Sequence, residues 1–247
     1  MTAHDIFPYR DLPKVCVPYC PVCQQTAYQV QLERDRYGYR VPFIRCGQCG
    51  LGYLAEQLTR EGYDRFYAHA YRALVAFYTG RTRDDLAIAL SHSQSSRGAF
   101  LAVMLPRWGC QARRLLDAGG SRGGVGAAIA GKIGAASVTV LDPAPDELPE
   151  GHLRGYLEDP IPGRYDGVIC CETMDHVTDP VRVLRNLRTA CPGWLYADLV
   201  TKGDLKIDHP FYWTPESFRR ALDQAGWTVA KGFYLNGCRS RWGCLAR

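Results

Sequence analysis

The chain has no apolar run near the ~18 residues that a membrane-crossing helix needs, so no membrane span is expected among its 247 residues. Its first residues, Met1-Thr2-Ala3-His4-Asp5, lack the basic-then-apolar order of a secretory signal, and a cytoplasmic location is the expectation. A dense basic patch is also missing. The formal net charge is +5 and spread out, which neither requires nor forbids a nucleic acid partner. No lysine follows the glycine-rich stretch in G-x-x-x-x-G-K-[ST] spacing, so a phosphate-cradling nucleotidase is disfavoured. What is left, 47% apolar and 22% charged residues, is ordinary for a globular protein. The length suits one large domain with a small appendage.

Cysteine, by contrast, is plentiful at eleven residues. In a reducing compartment that favours metal binding or buried thiols over disulfides. Four fall into two C-x-x-C pairs, Cys20-Pro21-Val22-Cys23 and Cys46-Gly47-Gln48-Cys49. Each pair is expected on a tight knuckle that presents two thiolates to one ion. Between them, the stretches from Ala27 to Leu32 and from Tyr39 to Ile44 read as strands. The pattern predicts a zinc ribbon over residues 1–52, with Cys20, Cys23, Cys46 and Cys49 in a tetrahedron around a structural Zn2+. Four sulfurs leave no open position for chemistry. Redox pairs or plain buried thiols are the alternative, and Cys16 is a spare thiol able to replace a ligand.

Residues 53–110 read as a helical lid or linker. Thr59 is placed to cap a first helix, and Asp84 to Leu90 and Gly98 to Leu105 read as two more, the latter ended by Pro106. Tyr63, Phe66, Tyr67, His69, Tyr71 and Phe77 form an aromatic-rich segment, suited to packing or to covering a pocket.

From residue 111 onward strands and helices alternate, which predicts an α/β, Rossmann-like, doubly wound seven-stranded sheet. Leu115-Leu116-Asp117 reads as its first strand. Five glycines then fall within the eight residues from Gly119 to Gly126, ahead of a small-residue helix. Such a loop lets backbone approach a ligand that a β-carbon would exclude, with helix-opening amides facing it. The second strand ends at Asp142, where an acid is placed to accept both hydroxyls of a ribose. Leu153 to Leu157, Tyr165 to Cys171, Trp194 to Leu199, Trp227 to Leu235 and Arg241 to Ala246 read as the remaining strands. The first glycine pattern, D-x-G-G-S-x-G, is not the dinucleotide G-x-G-x-x-G.

Three ordered stretches carry a resemblance: Leu116 to Gly123; the run Tyr165 to Pro180, with Cys171-Glu172-Thr173-Met174-Asp175-His176-Val177; and Asp208-His209-Pro210-Phe211-Tyr212-Trp213-Thr214-Pro215-Glu216-Ser217-Phe218. Together they resemble class I S-adenosylmethionine-dependent methyltransferases that act on small molecules and glycans, over roughly residues 112–247. An N-terminal zinc ribbon also occurs among the sugar and polysaccharide members. The resemblance implies that Gly119, Gly120, Ser121 and Gly123 pass beneath the methionine part of the cofactor, that Asp117 orients that loop or meets the amino group, and that Ala118 is among the cofactor-binding residues. Asp142 would hold the ribose, Pro143 would lie against the adenine, and Cys171 and Glu172 would line the pocket.

Two departures from the pattern matter. Ser121 replaces a common glycine, which requires ordinary backbone angles there. Tyr156 or Leu157 stands where an acid often meets the adenine amino group, so Glu158 or Asp159 is expected to supply that contact.

For a hydroxyl acceptor a histidine near neutral pKa is a natural general base. His209 is the first choice, being past the fifth strand on the crevice side; His176 is the second, and Tyr212 shapes the acceptor site. Lys202 and Lys206 meet either solvent or an acidic substrate. The expected activity is methyl transfer to a sugar or biosynthetic intermediate, with no nucleic acid or membrane partner and a homodimer left open. A ribosomal RNA guanine methyltransferase and a non-catalytic binding module on a methyltransferase-like scaffold are the competing readings.

Overall fold

The computed structural model describes residues 2–26, 30–143, 151–235 and 239–247. A short helix α1 (Ala3–Ile6) and strand β1 (Lys14–Cys16) lead into the first cysteine knuckle. Strands β2 (Val30–Arg34) and β3 (Arg40–Arg45) form a hairpin, and the second knuckle delivers the chain into β4 (Gly52–Leu54) and β5 (Glu56–Leu58). The segment from 52 to 58 is therefore strand rather than the start of the helical region. The second ribbon strand is where the sequence places it, shifted by one residue; part of the first, residues 27–29, lies outside the described residues.

The helical region begins with α2 (Arg60–Arg65), whose N-cap Thr59 accepts from the Gly62 amide at 3.2 Å. A π-helical segment, Phe66–Ala70, continues into α3 (Tyr71–Thr79). Instead of two further helices there is one, α4 (Arg83–Arg107). The serines and Gly98 in its middle are poor helix formers, which is why the sequence reads as broken. Tertiary packing overrides them: a β-carbon on Gly98 would lie 2.6 Å from that of Ala128, so the missing side chain is what lets two helices touch. Pro106 sits inside the final turn, and the helix runs one residue past it.

The remaining elements are β6 (Arg114–Ala118), α5 (Gly124–Ala130), β7 (Ser137–Asp142), β8 (His152–Arg154), β9 (Gly167–Cys171), α6 (Pro180–Ala190), β10 (Trp194–Val200), β11 (Phe211–Tyr212), α7 (Pro215–Gln224), β12 (Val229–Tyr234) and β13 (Arg241–Ala246). Seven strands make a mixed sheet in the order β12-β13-β10-β9-β6-β7-β8. The five from β10 to β8 are parallel, and β13 and β12 form a closing antiparallel hairpin. This is the expected Rossmann-like fold. The third strand is shorter than predicted, ending at Arg154, and the 144–150 link lies outside the described residues. β9 and β10 are apolar and buried along almost their whole length, as central parallel strands must be. The order reverses between β6 and β9, which opens a crevice beyond their carboxyl ends.

A second sheet has the order β11-β4-β3-β2. Its edge strand β11 comes from late in the chain: Phe211 pairs with Tyr53 and Tyr212 with Gly52. One apolar core runs from the cysteine knuckles through Tyr53 and Phe211 to Trp213, Phe218 and the main sheet. Among the described residues no helix is long and apolar enough to cross a membrane.

Candidate active site

The loop after β6 is shaped by what its glycines must avoid. Gly119 is left-handed (φ +70°), and a β-carbon there would lie 2.3 Å from Thr173; at Gly120 it would lie 2.4 Å from the Asp117 carboxyl carbon. Asp117 is buried at the end of β6 and accepts from the Gly126 amide at 3.0 Å, so it ties the loop to the first turn of α5. Burial pushes its carboxyl up to about 7, and the Asp142 charge adds to that. Ser121 does not have ordinary angles: its φ is +52°, a conformation costing roughly 1 kcal/mol or more for a residue with a side chain. Its amide is held there by Asp142 Oδ2 at 2.8 Å. Asp142, at the end of β7, thus faces the glycine loop across the crevice rim, with Pro143 next to it.

The expected adenine contacts are turned elsewhere. Glu158 Oε1 accepts from the amide and hydroxyl of Thr178 at 2.7 and 2.9 Å, bracing the loop that enters α6. Asp159 makes a two-pronged ion pair with Arg60 at 3.0 and 3.1 Å.

A cavity of about 370 Å³ runs from Asp117, Gly119, Gly120 and Ser121 past Cys171 and Glu172 to His176, Lys206 and His209. Ala118, Gly123, Asp142, Pro143, Glu158, Asp159 and Tyr212 are not part of its wall. Its middle is an ion-pair network that sequence reasoning missed. Arg97, from α4, reaches Asp198 Oδ2 at 2.9 Å and Glu172 Oε2 at 3.0 Å, while Arg241 holds Glu172 Oε1 at 2.7 Å. Glu172 itself is left-handed (φ +50°), and its amide is accepted by Asp198 Oδ1 at 3.1 Å. The acids were visible at strand ends; nothing in the pattern of a serine-rich helix marked Arg97 as their partner.

The far end of the cavity is made of side chains from separate loops. His209 and His176 meet edge to face with ring centroids 4.3 Å apart. His209 Nε2 lies 3.1 Å from Lys206 Nζ, and its Nδ1 lies 3.1 Å from Asp175 Oδ2. That second approach is off the hydrogen-bonding direction, since neither oxygen of Asp175 has a hydrogen bond among the described residues. His176 Nδ1 lies 2.7 Å from the Tyr67 hydroxyl and 3.0 Å from the Asp208 carbonyl. Burial, then the neighbouring His176, Lys206 and Arg36, hold His209 well below its ordinary pKa, so the imidazole is neutral. Burial also raises Asp175. Tyr212 serves a different end: its hydroxyl accepts from the Lys206 amide (2.6 Å) and donates to the Lys206 carbonyl (3.1 Å), fixing the turn that presents Lys206. Lys202 borders a smaller hollow beside His209.

The four knuckle cysteines converge apart from this cavity, all sulfurs within 4.8 Å of one another. Cys20 and Cys49 are 3.5 Å apart and Cys23 and Cys46 3.3 Å. Cys16 lies on β1 and is exposed.

The family profile described as a methyltransferase domain matches residues 63–231, more than half of the chain. No curated protein sequence matches. Among solved structures, the chain is similar to a candidate O-methyltransferase from Nostoc punctiforme (TM-score 0.54, 15% identity, 65% of this chain and 58% of that one). It is also similar to an S-adenosylmethionine-dependent methyltransferase from Clostridium acetobutylicum (0.51, 9%, 62% and 91%). A third is 1,6-didemethyltoxoflavin-N1-methyltransferase from Burkholderia thailandensis, solved with its acceptor and S-adenosylhomocysteine (0.56, 15%, 82% and 96%). The chain spans 58% of the Nostoc protein's length. At these identities the structures speak for the fold; the profile, which covers the glycine loop and both histidines, shows that the chain belongs to the methyltransferase-domain family.

Proposed function

We propose that the chain transfers a methyl group from S-adenosylmethionine to a small-molecule acceptor, a sugar or a related polar biosynthetic intermediate. The observation that carries this reading is the single cavity that joins the glycine loop to a wall of two histidines, Lys206 and a buried carboxylate. The residues fit the cofactor: close packing on Thr173 and Asp117 holds the backbone of Gly119 and Gly120 in the cavity wall, where a methionine chain would lie along it, and Asp142 stands at the rim where a ribose would rest. Several structural neighbours, such as the Burkholderia enzyme, are small-molecule methyltransferases by title.

When bound, the cofactor supplies a sulfonium methyl that is already electrophilic, so the protein's work is alignment and proton handling. His209, kept neutral by burial, has a lone pair for an acceptor hydroxyl proton once the Lys206 ammonium moves off Nε2. An acceptor hydroxyl aligned at this end would lose its proton to His209 Nε2 as its oxygen takes up the methyl group. Arg97, Glu172 and Arg241 stiffen the wall between the two ends.

We also assign a structural Zn2+ to Cys20, Cys23, Cys46 and Cys49. A tetrahedron with Zn–S bonds of about 2.3 Å has edges of about 3.8 Å, and the paired sulfurs need to open only slightly to reach it.

Calorimetric titration with S-adenosylmethionine and S-adenosylhomocysteine, repeated with total RNA present, tests the reading. Micromolar binding indifferent to RNA supports it. Absence of binding points to the scaffold reading, and salt-sensitive RNA binding to a nucleic acid substrate.

A further inference from the structure

Asp175, His176 and His209 each offer one donor atom, and these lie within 4.8 Å of one another in the cavity wall. Asp175 is 1% exposed, and both its oxygens lack a hydrogen bond among the described residues. Buried carboxylates are paired, hydrogen-bonded or bound to a metal, and His209 Nδ1 approaches this one off-line at 3.1 Å. The second observation concerns His176. Its Nδ1 lies 3.0 Å from the Asp208 carbonyl and 2.7 Å from the Tyr67 hydroxyl, and with a proton on Nδ1 directed to that carbonyl, Nε2 keeps the lone pair. A backbone carbonyl that fixes one ring nitrogen while the other faces a cavity is the usual outer support of a metal-binding histidine. The third is the Lys206 ammonium, 3.1 Å from His209 Nε2. The cluster already draws a positive charge to itself.

We infer that Asp175, His176 and His209 form a binding site for a divalent transition-metal ion, distinct from the four-cysteine knuckle. Two imidazoles and one carboxylate suit Zn2+, Fe2+, Mn2+ or Co2+ and leave positions open. The open positions face the cavity, so an acceptor oxygen can complete the coordination. In the loaded state Lys206 gives up its contact with His209, and His209 meets the acceptor through the ion instead of through its own nitrogen. That catalytic consequence rests on the acceptor-site reading above; the binding of the ion does not.

The test is a titration of the zinc-loaded, full-length protein with Co2+, followed by visible absorption and metal analysis, alongside a S-adenosylhomocysteine titration of the same samples. The expected result is one further Co2+ per chain, with d–d bands and no thiolate charge-transfer band. Asp175→Asn and, separately, His176→Gln should each weaken that uptake at least tenfold while S-adenosylhomocysteine binding stays within twofold, which reports an intact fold. No Co2+ taken up beyond the bound zinc, a thiolate-type spectrum alone, or uptake unchanged in both variants overturns the site. Co2+ uptake with no S-adenosylhomocysteine binding would leave the metal site standing and remove the methyltransfer reading; the reverse pattern removes the metal site alone.

Discussion

The two ends of the cavity are built on different principles. The cofactor end is backbone: glycines packed against Asp117 and Thr173, with the Ser121 and Gly126 amides satisfied by carboxylates. The far end is side chains brought in from residues 67, 175–176 and 206–209, with a buried acid left without a hydrogen bond among the described residues. The first end is held in shape by the protein's own contacts, whatever fills the cavity. A cluster of incompletely partnered polar side chains is waiting for polar groups to come from outside.

The comparison breaks first, and most strongly, at the glycines. Gly120→Val places a branched side chain on the buried Asp117 carboxyl, and calorimetry should show S-adenosylhomocysteine affinity down by more than 100-fold. His209→Ala should do the reverse, cutting turnover by about 10²- to 10⁴-fold while cofactor affinity stays within twofold. Equal losses in both readouts would mean the two ends are not separable. Asp142→Ala sits between them: the Ser121 turn loses its anchor and the ribose its acceptor, so affinity should fall by about tenfold, a 1.4 kcal/mol effect, with turnover at saturation little changed.

A further contrast is a pair of opposing pH slopes in the cofactor-free protein. Asp117 is raised to about 7 from an ordinary carboxylate value of 3.8, so the folded state holds its proton longer than the unfolded chain does. Its contribution to stability is lost as pH climbs from about 4 through about 7. His209 is depressed below its ordinary 6.5, so the unfolded chain binds the proton first and stability falls as pH drops below 6.5. Thermal melts across pH 4–8 should lose the first slope in Asp117→Asn and the second in His209→Gln; a variant that leaves its slope intact assigns it to another group.

The same contrast explains what could be read from the sequence. The cofactor end is contiguous in sequence, so Leu116 to Gly123 and Asp142 could be placed on strand ends from spacing alone. His176 and His209 were recognisable within their motifs, whereas Lys206 as partner of His209 and Arg97 as partner of Glu172 and Asp198 depend on folds of the chain that no local pattern encodes. Helix α4 failed as a reading for a related reason. Its weak formers are compensated by close packing on α5 at Gly98, a tertiary fact. Glu158 and Asp159 had the right chemistry at the right distance along the chain, but Thr178 and Arg60 claim them.

The pairing of β4 with β11 bears on how the molecule comes into being. Phe211 sits on Tyr53, 158 positions away (211 − 53), whereas the glycine loop, Asp117 and Asp142 belong to one βαβ unit. Contacts of long sequence separation are entropically slow to form. The refolding chain should therefore gain its ability to bind S-adenosylhomocysteine before His209 reaches its place, and during synthesis the β4 edge stays without its β11 partner until residue 212 has left the ribosome.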